Sequence, residues 1–139
     1  MIQRIQTLWL LAASICGFAT LKLSFYSGNK LDATNVKQFV PLNATTNSIL
    51  MVLTACVAAA ALVLIFFYKD RKRQMLITFA AVVISIINII LYFTEINKFV
   101  EGNYDITAVF SFLVPVFLLL AARGIYKDEK LIKSVDRLR

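Results

Sequence analysis

Polar and apolar positions divide this chain into four long apolar stretches, Ile5 to Leu23, Ser48 to Tyr68, Met75 to Phe93 and Ile106 to Ala122, separated by charged connections. A helix needs about 20 apolar residues to cross the hydrocarbon of a bilayer, with ~17–25 the usual range. All four stretches qualify, the fourth at the short end. Soluble helices are seldom this long and this apolar in series. The pattern predicts an all-α membrane protein, with four transmembrane helices in an antiparallel up-down bundle. It forms a single domain over 1–139, with helices at 5–23, 48–68, 75–93 and 106–122 and a basic tail at 123–139. Arg4 ahead of an apolar run, with Gly17-Phe18-Ala19 beyond it, also resembles a signal peptide. The segment is read here as a retained first helix. No internal repeat is visible.

Within the third stretch, Thr78, Ala81, Ser85, Asn88, Tyr92 and Glu95 recur at alternating steps of three and four. Residues so spaced share one helix face. Hydrocarbon offers polar groups no partner, so the stripe is expected to face the bundle interior, and Asn88 needs a hydrogen-bonding partner on another helix. A packing seam with polar contacts and a lined solute path are the two readings. The first stretch carries a similar stripe of Gln3, Gln6, Leu10, Ala13, Gly17 and Thr20. There Ala13 and Gly17 form a small–xxx–small pair suited to close helix approach. Pro115 cannot donate to the carbonyl of Ser111, so a kink is expected in the fourth helix.

The connections differ in kind. Lys69 to Gln74 has room only for a tight helical hairpin. Ser24 to Asn47 is long and aromatic, Leu21 to Phe25 alternates, and Ser27-Gly28-Asn29 reads as a turn, which together allow a small β-hairpin. The last long connection is acidic, with Glu95, Glu101 and Asp105 against Lys98.

Composition narrows the class. The chain is 60% apolar and 17% charged, with a mean hydropathy of +0.76. Soluble domains average roughly 45–50% and about 25%. An ordinary soluble domain, a disordered chain and a disulfide scaffold are thereby excluded. Histidine is absent and cysteine occurs twice, which removes most histidine catalysis and most zinc sites. No catalytic, cofactor or metal constellation is evident. Cys16 and Cys56 both fall about 17 Å from the inner ends of their helices at 1.5 Å per residue, and read as small apolar residues.

The net charge of +7 has a direction. Arg4, Lys69, Arg71, Lys72, Arg73, Arg123, Lys127, Lys130, Lys133, Arg137 and Arg139 lie on one side of the spans. Lys22, Lys30, Lys37 and Lys98 lie on the other. The excess of basic residues marks the cytoplasmic side, so both termini are expected inside. It serves orientation, and nucleic acid is not an expected partner. In the tail, Leu131, Ile132, Val135 and Leu138 share one helical face flanked by Lys127, Lys130, Lys133 and Arg137. Such a segment can lie on anionic lipid, dock on a partner, or extend the fourth helix.

The opening Met1-Ile2-Gln3-Arg4-Ile5-Gln6-Thr7 and the closing Lys127-Asp128-Glu129-Lys130-Leu131 and Ser134-Val135-Asp136-Arg137-Leu138-Arg139 carry a resemblance. The chain resembles, over its whole length, an uncharacterised family of small four-helix membrane proteins of Bacteroidota. That resemblance implies a bacterial inner membrane and supplies no activity, ligand or catalytic residue. Gln3, Arg4, Gln6, Lys130, Lys133 and Arg137 are the expected contacts to lipid or a partner. The expected function is a non-catalytic accessory or scaffold subunit of a larger inner-membrane complex. Its partners would be the lipid bilayer and other membrane subunits, with a homo-oligomer also open. The alternative is a small transporter or channel built on Ser85, Asn88, Tyr92 and Glu95.

Overall fold

A computed structural model of the protein describes residues 5–31, 36–67 and 70–136. In chain order its elements are α1 (Ile5–Ala19), β1 (Tyr26–Leu31), β2 (Lys37–Leu42), one 3-10 turn (Ala44–Thr46), α2 (Ser48–Phe66), α3 (Arg71–Ile96), β3 (Glu101–Tyr104) and α4 (Ala108–Asp136). Helices α2, α3 and the Ala108–Ile132 part of α4 are long and apolar enough to cross a membrane.

The described part of α1 is shorter than the stretch 5–23 suggested, at 15 residues. Its end has a local cause. The Thr20 hydroxyl donates to the Gly17 carbonyl at 2.7 Å, and the amides of Leu21 and Lys22 bond three residues back, to Phe18 and Ala19. The last apolar residues therefore tighten into turns instead of another helical turn. At the other extreme, α4 runs through Pro115 and on to Asp136, so the described part of the basic tail extends the fourth helix. Helix α3 likewise exceeds its predicted 75–93 at both ends.

Helix α2 starts where Asn47 caps it, the side-chain carbonyl accepting from the Ile49 amide at 3.0 Å. Contacts between helices run in a ring, with α1 against α2 and α4, and α3 against α2 and α4. Leu10, Ala13, Ala61, Leu118 and Ala121 fill the centre of that ring with no exposed surface. Outward, the picture reverses. Only 33% of the apolar windows of α2 and α3 and 44% of that of α4 is buried, leaving Val52, Val63, Val83 and Ile90 more than half exposed. Water would not tolerate so continuous an apolar face, and a bilayer would.

Small residues set how closely α1 and α2 approach. A Cβ placed on Gly17 would lie 2.9 Å from the Ala58 Cβ and 3.3 Å from its Cα. Gly17→Val is therefore expected to push the two backbones apart and cost about 1–3 kcal/mol. A lowered unfolding midpoint in detergent, with the exposed Val63→Ala as control, would show it. An unchanged midpoint would contradict it.

The long connection does form a hairpin, but its strands start later than the alternation suggested, and a third strand from the α3–α4 connection joins them. The sheet order is β2-β1-β3, both pairings antiparallel, with Tyr26 opposite both Leu42 and Tyr104. Ser27-Gly28-Asn29, expected as a turn, is the middle of β1. Gly28 stands there because Gly102 faces it across the β1–β3 pairing: a Cβ on Gly28 would lie 2.8 Å from the Gly102 Cα. Phe25, Tyr26, Leu42, Leu50 and Tyr92 form the core that seats the sheet on the helix ends, with the Phe25 and Tyr92 rings stacked at 4.5 Å.

Candidate functional site

The face of α3 that carries the polar stripe is the natural place to look for chemistry. Thr78, Ala81, Ser85, Asn88 and Tyr92 are all buried, while Val83, Ile86, Ile87 and Ile90 of the same helix are exposed. The hydroxyls of Thr78 and Ser85 donate to carbonyls of their own helix, Gln74 and Val82, each at 2.7 Å. Asn88 reaches across instead. Its amide nitrogen donates to the Thr54 hydroxyl of α2 at 2.8 Å, and Thr54 in turn donates to the Leu50 carbonyl at 2.7 Å. The Tyr92 hydroxyl meets the same Thr54. At the sheet end, Glu95 accepts from Asn47 at 2.9 Å and from Lys98 at 2.7 Å.

Toward the far end of α3, Gln74 donates to the Leu64 carbonyl at 2.8 Å. The seam is thus a three-rung ladder between α3 and α2: Gln74 to Leu64, Asn88 to Thr54, Glu95 to Asn47. Sequence reasoning missed Gln74, although it extends the stripe by one further step of four. It also missed Thr54 and Asn47, since nothing local in α2 singles out the residues that will face α3.

In the middle of the ladder sits a small cavity of about 20 Å³, lined by Gly17, Thr20, Thr54, Val57, Ser85, Asn88, Ile89, Ser111 and Val114. A water needs roughly 10–15 Å³ of such space, so there is room for about one. The carbonyl oxygen of the Asn88 amide is buried without a partner among the described residues. The backbone carbonyl of Ser111 loses its helical donor to Pro115. The residues that carry these two acceptors both line the water-sized space.

Of the first-helix stripe, Gln6, Leu10, Ala13, Gly17 and Thr20 are buried. Cys16 is buried and Cys56 exposed, and both are free thiols. The acids of the α3–α4 connection are each engaged: Glu101 pairs with Lys37 at 3.3 Å, and Asp105 accepts from the Ser27 hydroxyl at 2.5 Å. Among the described residues, no three His, Cys, Asp or Glu side chains gather as a metal site would require.

A second concavity lies at the end away from the sheet. Here α1 and α4 approach closely at Gly124, where a Cβ would lie 3.1 Å from the Gln6 Cβ, and α4 continues to Asp136. Beyond that crossing opens a groove of about 640 Å³. Ile5, Gln6 and Trp9 line it from α1, Arg71 from α3, and Leu120, Arg123, Gly124, Lys127, Asp128, Leu131 and Ile132 from α4. Of the residues expected to contact lipid or a partner, Gln6 lines this groove and Lys130 is exposed on α4. Gln3, Arg4, Arg137 and the side chain of Lys133 lie outside the described residues.

These features define a class: a small, mostly helical protein with membrane-length apolar helices, a sheet capping one end, and a polar seam inside. The chain belongs to the family described as Domain of unknown function (DUF4293), which matches residues 2–138. No curated protein and no solved structure matches the chain.

Proposed function

We propose that this protein is a non-catalytic integral membrane protein of a bacterial inner membrane, an accessory or scaffold subunit of a larger complex. In this reading all four helices span, α1 as the shortest, in up-down order with both termini cytoplasmic. The skew of basic residues supports that orientation.

One observation carries the reading. Gln74, Asn88 and Glu95 of α3 hold α2 and its cap, and the cavity beside Asn88 takes about one water. The chain's recognition features lie instead on its outside: the wide apolar faces, the sheet and the basic end. A protein built this way acts through what it touches. Crosslinking in native membranes followed by purification through an affinity tag is expected to recover a defined set of neighbouring membrane subunits. Recovery of the chain alone would count against the scaffold role.

A transporter or channel reading rests on the cavity lined by Asn88, whose side-chain carbonyl has no partner among the described residues. Under the scaffold reading, proteoliposomes show no ion or solute flux above that of empty vesicles. A flux that Asn88→Leu abolishes would overturn it in favour of transport.

A further inference from the structure

We propose that the groove between α1 and the C-terminal part of α4 binds one anionic phospholipid, its phosphate held by Arg71, Arg123 and Lys127 and an acyl chain laid along Trp9 and Leu120. The inference uses only the membrane part of the proposed function and is independent of any protein partner.

Three observations on different elements converge. The first is charge. Arg123 and Lys127 are four apart on α4 and so share a face, and Arg71 arrives from α3. Against these three cations the groove has one lining acid among the described residues, Asp128. Arg71 is half-buried there, whereas its neighbours Lys72 and Arg73 are exposed. Guanidinium groups suit phosphate oxygens because their paired N–H groups bind two oxygens at once.

The second is apolar surface. On the bilayer side of the cations the lining is apolar, with Trp9 from α1 and Leu120 from the membrane-length part of α4. A free anion finds no partner on that wall, whereas a lipid chain packs against it by van der Waals contact. Basic pockets between helices at the cytoplasmic membrane surface favour anionic headgroups for this combination of reasons.

The third is an unanswered acceptor. Gln6 is 3% exposed, lines the groove, and its side-chain carbonyl has no donor among the described residues. A headgroup bearing hydroxyls supplies such a donor, as phosphatidylglycerol does and phosphatidylcholine does not.

Trp9 is the single tryptophan of the chain and lines the groove, so it reports occupancy directly. Delipidated protein in a neutral detergent is titrated with phosphatidylglycerol brominated in its acyl chains, and separately with equally brominated phosphatidylcholine. Expected is saturable quenching of Trp9 fluorescence near one phosphatidylglycerol per chain, about tenfold tighter than phosphatidylcholine. Millimolar inorganic phosphate should not relieve it. Arg123→Gln with Lys127→Gln should remove the preference for phosphatidylglycerol, and Arg123→Lys should keep most of it. The comparison of the two lipids on the native chain stands even if a variant folds poorly. Equal quenching by both lipids, quenching by neither, or displacement by inorganic phosphate would each overturn the proposal.

Discussion

Gly28→Val is expected to detach β3 from β1 and open the sheet end of the molecule. The new side chain would start 2.8 Å from the Gly102 Cα, and Gly102 in turn has no room for a Cβ, which would lie 2.6 Å from both the Ser27 carbonyl and the Tyr26 ring. Both neighbours are backbone or packed ring, so neither yields cheaply. Overpacking of this kind costs roughly 1–3 kcal/mol and more where the backbone must move. The consequences extend past the strands. The β1–β3 pairing, the Asp105 amide on the Phe25 carbonyl and the Thr107 hydroxyl on the Ser24 carbonyl together tie the α3–α4 connection to the α1–α2 connection. Rapid amide exchange and new proteolytic sensitivity at 101–104 should appear, with a lowered unfolding midpoint. Gly102→Val should behave alike, and the exposed Phe39→Thr should not. Native protection in Gly28→Val would refute the account.

The second large effect concerns the middle rung of the ladder, where the two partners should differ sharply. Thr54→Val strands the Asn88 amide, whose carbonyl already lacks a partner, and takes the same contact from Tyr92. A buried polar group left unsatisfied costs about 1–3 kcal/mol, although hydrogen bonds within membranes often measure nearer ~0.6. Asn88→Leu removes the polar amide altogether and leaves Thr54 bonded to the Leu50 carbonyl, so it should cost less. The double variant is expected to be more stable than Thr54→Val alone. Unfolding in detergent by a denaturant series supplies the double-mutant cycle. Simple additivity of the two losses would remove the rung from the explanation of stability.

How the stripe behaves shows which part of this protein is local information. Helical period alone places Thr78, Ala81, Ser85, Asn88 and Tyr92 on one face, and the structure buries all five. The same rule does not choose Asn88's partner, because the residue on α2 that meets it depends on the register of two helices. Asn47 is a similar case. It caps α2 through the Ile49 amide, and the return of α3 beside it adds Glu95 as a second partner.

Strand pairing was the less legible part. Four residues, Glu101-Gly102-Asn103-Tyr104, have no alternation of apolar and polar positions to mark a strand, and all four are exposed. They become a strand because β1 offers a free edge, from residues up to 78 positions away in the chain, as in the Ser27–Asp105 contact. The same distance explains the misreading of Gly28. A glycine between Ser and Asn is an ordinary turn signal in sequence, and here it answers to a backbone from another loop.

The sequence by itself determined the apolar spans, the polar face of α3 and the one-sided distribution of basic residues, because hydropathy and helical period are properties of neighbouring positions. The tertiary structure decided which side chains complete the ladder, where α1 ends and how the two connections join in one sheet. It also decided that the packing of α1, α3 and α4 brings Arg71, Arg123 and Lys127 around one groove. Those depend on distances between segments remote in the chain, which packing alone sets.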